Sequence, residues 1–382
     1  MSFRRLWWAT GCTSIGTGVS GTALPLLAVS LSPDPRHVTL VAAAGFLPWM
    51  LFALPAGAML DRGDRISLMW RAQAVQVVLV GLLAAVGQLG LAALVLLAFT
   101  IGACEVLVGN GTQTVVPDLV APASLHRANS AQQAVTTIGQ QFAGPPLGSA
   151  LFAVAAALPF GLHAAALTAS AVLLATLPRA TRPLPPRTVM TDGLRWLARH
   201  RLLRTLALLL GVNTFAGQLA NSTLVLLATQ DLRLGATGYG LLLTAAAIGS
   251  VLAGLTTTWL LRVVGETRAL IVSLALNAVV FAGIGLAPNA TALAFLLAAN
   301  GFLTTIWSVV TVSARQQLVP PGLLGRVNSA YRALGWGLMP LGALAGGFVA
   351  HGFGPHAPYL VAAALRLAAL LLALPVLRRQ DT

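Results

Sequence analysis

The chain is written as long apolar runs separated by short polar gaps, and the runs set its architecture before any motif is considered. Runs long enough to cross a hydrocarbon core as a helix of about twenty residues fall at approximately 6–31, 38–60, 67–88, 91–115, 128–155, 158–178, 203–230, 237–261, 268–287, 290–313, 327–350 and 356–377. They lack the period-two alternation of barrel strands, and backbone polar groups cannot stay unpaired in hydrocarbon, so each run predicts a helix. Twelve spans follow. The longest polar stretch, 179–202, carries Pro183, Pro185 and Pro186, then Gly193-Leu194-Arg195-Trp196-Leu197, and it divides six spans from six. Its prolines favour an extended entry, and Leu194, Trp196 and Leu197 among arginines predict an amphipathic helix on the inner leaflet. The expected organisation is a bundle over 1–178, a linker over 179–202 and a second bundle over 203–382.

The two halves repeat each other. Gln113-Thr114-Val115-Val116-Pro117 followed by Arg127-Ala128-Asn129-Ser130-Ala131 matches Gln316-Gln317-Leu318-Val319-Pro320 followed by Arg326-Val327-Asn328-Ser329-Ala330. Two matching blocks at the same place in each half point to duplication, and paired bundles around a central cavity form a transporter architecture.

Composition excludes water as the main solvent: 57% of residues are hydrophobic, 8% are charged and the mean hydropathy is +0.84. A net charge of +14 would suggest nucleic acid in a soluble protein, but here the charge follows the spans. All basic residues are arginine, and all but Arg36, Arg233 and Arg366 fall in or beside alternate gaps. Arginine is held on the cytoplasmic side. That predicts a multi-pass inner-membrane protein with both termini cytoplasmic, the bilayer as partner and no nucleic acid. The first run is too long for a signal-peptide core and lacks a small-residue cleavage site, so it is read as an uncleaved helix beginning near Met1. Cys12 and Cys104 have no metal-site or disulfide spacing. No cofactor and no metal are expected. The chain has no lysine, hence no phosphate-binding Gly-x-x-x-x-Gly-Lys loop, and no His-Glu-x-x-His or Gly-x-Ser-x-Gly pattern, which argues against ATP drive and against an enzyme.

Between the second and third runs stands Gly57-Ala58-Met59-Leu60-Asp61-Arg62-Gly63-Asp64-Arg65. It resembles the Gly-x-x-x-Asp-Arg-x-x-Arg signature of the major facilitator superfamily. The resemblance covers the whole chain and implies an all-α membrane protein of twelve transmembrane helices in two pseudo-symmetric six-helix bundles. It also implies a conformational latch, in which Gly57 permits close helix approach while Asp61 and Arg62, with Arg65, pair with helix ends and charges across the bundle interface. The plain alternative is a solvated turn that sets topology. The matching loop of the second half, Arg262 to Arg268, keeps charges without the Asp-Arg pair.

Val116-Pro117-Asp118-Leu119-Val120, then Arg127-Ala128-Asn129-Ser130, looks like the branch that contains enterobactin exporters and macrolide efflux proteins. On the fifth helix, Gly144-Pro145-Pro146-Leu147-Gly148 resembles the Gly-Pro-x-x-Gly core of the antiporter motif found in exporters. Proline and glycine also serve simply to kink membrane helices or admit a neighbour.

Of the acidic residues only Glu105 falls well inside an apolar run. An ionised side chain near the bilayer centre costs at least about 2.5–3.5 kcal/mol, so such residues face cavities or mark proton and ion paths. Glu105 shares a helical face with Gly102, Gly109 and Thr112 and is the candidate for proton coupling; a structural carboxyl is the alternative. Polar stripes nominate cavity-lining residues: Thr13 and Thr17 on the first helix, Gln133 and Gln140 on the fifth, Asn213 and Asn221 on the seventh, and Asn300, Thr304 and Trp307 on the tenth. Similar residues also glue membrane helices together. Arg366 is the other charge at depth; the superfamily resemblance implies that the twelfth helix lies at the periphery, so Arg366 is expected to snorkel or pack there, with pairing to an anionic substrate or to Glu105 as the alternatives. The leading expectation is a monomeric secondary active exporter that exchanges an amphipathic small molecule, such as an antibiotic or siderophore, for protons by alternating access. An uptake permease of the same fold and a non-transporting sensor are the alternatives.

Overall fold

The computed structural model describes residues 2–85, 90–121, 124–178, 191–320 and 323–378, and every regular element among them is helical. The first half consists of α1 (Ser2–Leu31), α2 (Pro35–Arg62), α3 (Arg65–Ala85), α4 (Leu91–Leu119), α5 (Leu125–Thr137), α6 (Gly144–Val154) and α7 (Leu158–Ala175). The rest consists of α8 (Thr191–Arg199), α9 (Arg201–Asn221), α10 (Leu224–Leu226), α11 (Ala236–Val264), α12 (Glu266–Gly285), α13 (Ala290–Leu318), α14 (Leu324–Gly337), α15 (Met339–Phe353) and α16 (Ala357–Arg378). Among the described residues, eleven stretches are long and apolar enough to cross a membrane. The remaining expected span, the fifth, is a continuous helical path from Leu125 to Val154 whose first half is polar and whose middle, Ile138–Ala143, is a π turn.

That π turn follows from Pro145 and Pro146. Neither has an N–H to close onto the carbonyl four residues back, and the Gly144 N–H reaches five back, to the Gly139 carbonyl. The off-pattern Arg36 is also locally explained. Asp34 caps α2, its Oδ1 accepting the Arg36 N–H at 2.9 Å with Pro35 in the first turn. The Arg36 guanidinium returns to the Asp34 carboxylate at 2.7 Å, so this off-pattern arginine carries its own counter-charge.

Two compact units emerge from the packing: Met1–Pro186 with Leu234–Thr244, and Arg187–Arg233 with Ala245–Thr382. In the first unit α1 packs on α6 and α7, α3 on α4 and α7, and α2 on α4. In the second, α9 packs on α15 and α16, and α12 on α13 and α16. First-on-fifth, first-on-sixth, third-on-fourth and third-on-sixth span pairings therefore recur in the second half, which is the packing counterpart of the sequence repeat. Glycines recur with them. Gly144 and Gly148 of α6 lie against Gly18 and Val19 of α1, and Gly342 and Gly346 of α15 lie against Phe215 and Leu219 of α9. A Cβ at any of the four would strike backbone, so small residues set these helix separations.

The core of the second unit includes Leu203, Ile306, Tyr331 and Leu377, and it also takes in Leu197 of α8, with Trp196 packed against it. The amphipathic helix expected on the inner leaflet thus turns these apolar residues onto α9 and α14, because the bundle end offers them a protein surface. Residues 179–190 of the expected linker and the side chain of Leu194 lie outside the described residues.

Candidate functional site

The second unit contains a cavity of about 380 Å³. Asn213, Gln218 and Asn221 reach it from α9, Ser273, Asn277 and Phe281 from α12, and Arg366 from α16. The α13 contribution is the stripe Asn300, Thr304, Trp307, Thr311, which runs on to Arg315 at intervals of three or four residues. Five polar and aromatic residues nominated in this half, Asn213, Asn221, Asn300, Thr304 and Trp307, are brought together here. Asn277 was not among them, although it links two helices: its Nδ2 donates to Asn300 Oδ1 at 3.1 Å, and the same oxygen accepts Thr304 Oγ1 at 3.4 Å.

Arg366 does not snorkel. One guanidinium nitrogen donates to Asn277 Oδ1, the other terminal nitrogen donates to the Asn213 carbonyl at 3.1 Å, and the carbon of the fork stands 3.9 Å from the Phe281 ring centroid. Gly217 makes the room, since a Cβ there would come within 3.1 Å of the guanidinium. Arg315 is held in a similar style. Its Nε donates to the Thr311 carbonyl at 3.3 Å and its guanidinium lies 4.3 Å from the Tyr331 ring centroid, while the Tyr331 hydroxyl donates to the Leu203 carbonyl.

In the first unit the expected lining residues are placed differently. Thr13 is a seam residue: its hydroxyl donates to Ser170 Oγ on α7 and accepts Gln73 Nε2 from α3, both at 2.9 Å. Ser20 of the same stripe meets His163 Nδ1 at 2.7 Å, and the His163 ring occupies the space beside Gly16. The α1 stripe is therefore largely an α1–α7 interface, because α7 supplies polar partners that no spacing on α1 reveals. Thr17 is half-buried, and Gln133 and Gln140 are exposed. Gln133 Nε2 donates to Thr137 Oγ1 at 3.4 Å.

Glu105 is half-buried on α4 and makes no hydrogen bond or ion pair with any described residue. The glycines on its face do not border open space. Gly102 lies against the Gly45 carbonyl and Pro48 of α2, and Gly109 against the Trp49 ring. Gly144 and Gly148 of the antiporter-like motif are likewise taken up by packing on α1, and Pro145 is buried beside them.

The latch residues divide. The side chains of Asp61 and Arg62 lie outside the described residues. A Cβ at Gly57 would meet nothing within 4 Å among the described residues. Arg65 is the residue with visible work. Its Nη1 donates to Asp118 Oδ2 at 3.1 Å and to the Thr114 carbonyl at 3.3 Å, and its Nε to the Leu60 carbonyl at 3.3 Å. It fastens the start of α3 to the ends of α2 and α4, and so joins the Gly57–Arg65 motif to the Pro117-Asp118 motif.

Over residues 1–381 the chain matches the family described as transmembrane secretion effector. It is similar to the multidrug efflux pump Tap of Mycolicibacterium fortuitum, 28% identical over 389 residues that cover 96% of this chain and 94% of that one. It is also similar to the enterobactin exporter EntS of Salmonella choleraesuis (strain SC-B67), 26% identical over 344 residues, 87% of this chain and 81% of that one. Among solved structures, a bacterial homologue of the iron transporter ferroportin in the inward-facing state superposes with a TM-score of 0.76 at 18% identity, covering 99% of this chain and 98% of that one. The nucleoside transporter NupG gives 0.75 at 13% identity, covering 98% of each chain, and both likenesses concern the fold. A family match of that length, on a duplicated helical fold shared with such transporters, makes this chain a member of the transmembrane secretion effector family and a major facilitator transporter, not an enzyme.

Proposed function

We propose that this transporter is a proton-coupled secondary active exporter of amphipathic small molecules, drug-like or siderophore-like. It works by alternating access, as a monomer, in the cytoplasmic membrane with both termini inside. The observation that carries the reading is the cavity of the second unit. Its size lies within the range of small-molecule sites, and it interleaves amides and hydroxyls (Asn213, Asn300, Thr304) with apolar surface (Leu303, Phe281, Trp307). An indole offers such a ligand a broad apolar face and one donor. The relatives named as pumps and exporters support the direction of transport.

Glu105 is the coupling residue of this reading, as a carboxylate at depth with no described partner to hold its charge. Residues 1–178 and 203–382 act as the two moving halves, joined by 179–202. Thr17, Gln133 and Gln140 supply the first half's share of the substrate path, and Gly57, Asp61, Arg62 and Arg65 govern the change of state.

The test uses inverted vesicles and a panel of amphipathic fluorophores. The expected result is pH-gradient-driven accumulation in vesicles that is abolished in Glu105→Gln, with gradient-independent exchange of substrate retained. Unimpaired proton coupling in the variant would remove Glu105 from the mechanism, and accumulation by whole cells in place of vesicles would make the protein an uptake permease.

A further inference from the structure

The cavity of the second unit is lined by positive charge that no carboxylate among the described residues of that unit answers. Two acids in this unit have described side chains, and neither lines the cavity. Asp231 lies 3.1 Å from His356, and Glu266 stands in the first turn of α12. Arg366 and Arg315 both do line it. Arg366 lies nine residues from the start of α16 and twelve from its end. That is about 14 Å or more of helix axis on either side, too far for a side chain to carry its charge to the headgroups.

The groups that hold Arg366 orient it without neutralising it. A guanidinium has five N–H donors. The contacts to Asn277 and Asn213 use two, and Nε is buried with no hydrogen-bond partner among the described residues. Asn277 is fixed in turn by Asn300, so the fork is pre-set by amides, a carbonyl and the Phe281 ring, all formally neutral. An unanswered cation and an idle donor in a low-dielectric interior are costly. Both are satisfied when an anion arrives, and a planar fork suits a carboxylate-like group.

We infer that this cavity is an anion site, in which Arg366 pairs with the acidic group of an amphipathic substrate while Trp307 covers its apolar body. The inference rests on the exporter reading and narrows its substrates to molecules that join an aromatic or aliphatic body to a carboxylate or similar anion.

The experiment is equilibrium dialysis of the purified full-length protein against 2-naphthoate, its methyl ester and (2-naphthylmethyl)trimethylammonium. One charge-assisted hydrogen bond gives about tenfold or more in affinity, so the acid should bind at least about tenfold tighter than the ester and the cation weakest. Arg366→Gln should bring acid and ester within about twofold, and Arg366→Lys should keep part of the preference. Equal binding of acid and ester by the unaltered protein overturns the inference, as does an undiminished preference in a folded Arg366→Gln. Should that variant fail to fold, Thr304→Cys in a background free of Cys12 and Cys104 supplies the answer with Arg366 intact. Anionic sulfonatoethyl methanethiosulfonate should modify it faster than the cationic trimethylammonium analogue, relative to a free thiol, and 2-naphthoate should slow the reaction. Equal or reversed rates overturn the inference. Acid selectivity without vesicle transport would sink the exporter reading and leave the site standing, whereas transport without acid selectivity would do the opposite.

Discussion

Replacing Asp118 by asparagine should loosen the first unit where its two sequence motifs meet. The Arg65 and Asp118 side chains are 10% and 13% exposed, and their N···O distance is 3.1 Å. At an effective dielectric of about 20, such a pair attracts by roughly 5 kcal/mol before desolvation is counted. Breaking a buried pair from one side costs about 3–5 kcal/mol, because the surviving charge is stranded. Here Arg65 would keep the Leu60 and Thr114 carbonyls, each at 3.3 Å, which partly answer it. The expected loss for Asp118→Asn is therefore about 2–3 kcal/mol, below the range for a fully stranded charge. Arg65→Gln alone should cost a similar amount, and the double variant little more than either, for a coupling energy of about 1.5–3 kcal/mol. The assay is reversible unfolding in mixed micelles followed by helix ellipticity, with all four proteins under one condition. A coupling energy within about 0.5 kcal/mol of zero would refute the reasoning and return Arg65 to the status of a solvated topology signal.

Two further outcomes follow from local geometry. A Cβ on Gly301 would fall on the Ala246 carbonyl, whereas one on Gly254 would meet nothing within 4 Å among the described residues. Gly301→Ala should therefore cost about 1–3 kcal/mol by overpacking, while Gly254→Ala should be neutral or stabilising by up to about 1 kcal/mol; similar midpoints for the two in the same micelle assay would count against the packing account. Thr13→Val removes the partner of Gln73 and Ser170 and should lower stability by about 0.5–2 kcal/mol with an unchanged substrate profile. A shift in profile without a loss of stability would put Thr13 back on the substrate path.

What the chain disclosed about itself follows from the one-sided way lipid selects residues. Hydrocarbon demands about twenty apolar residues per crossing and forbids open backbone, so the spans and the repeat were legible. The fifth helix is hardest to see because Gln132, Gln133 and Gln140 make its first half polar, and its π turn depends on Pro145 and Pro146 acting together. Polar stripes carry less information, since a hydroxyl that avoids lipid can meet either a cavity or another helix. Thr13 and Thr304 occupy equally regular stripes. Thr304 opens on a cavity, while Thr13 meets Gln73 and Ser170, separated from it by 60 and 157 positions, and nothing in α1 encodes that meeting. Arg366 makes the same point in reverse. The family resemblance places its helix at the periphery, and Gly217 and Asn213 on α9 with Asn277 and Phe281 on α12, far away in sequence, turn the side chain inward and give the charge a place. Depth along a helix is thus read from one segment, but direction is decided by two or three, and it is direction that separates a residue holding the bundle together from one that can hold a substrate.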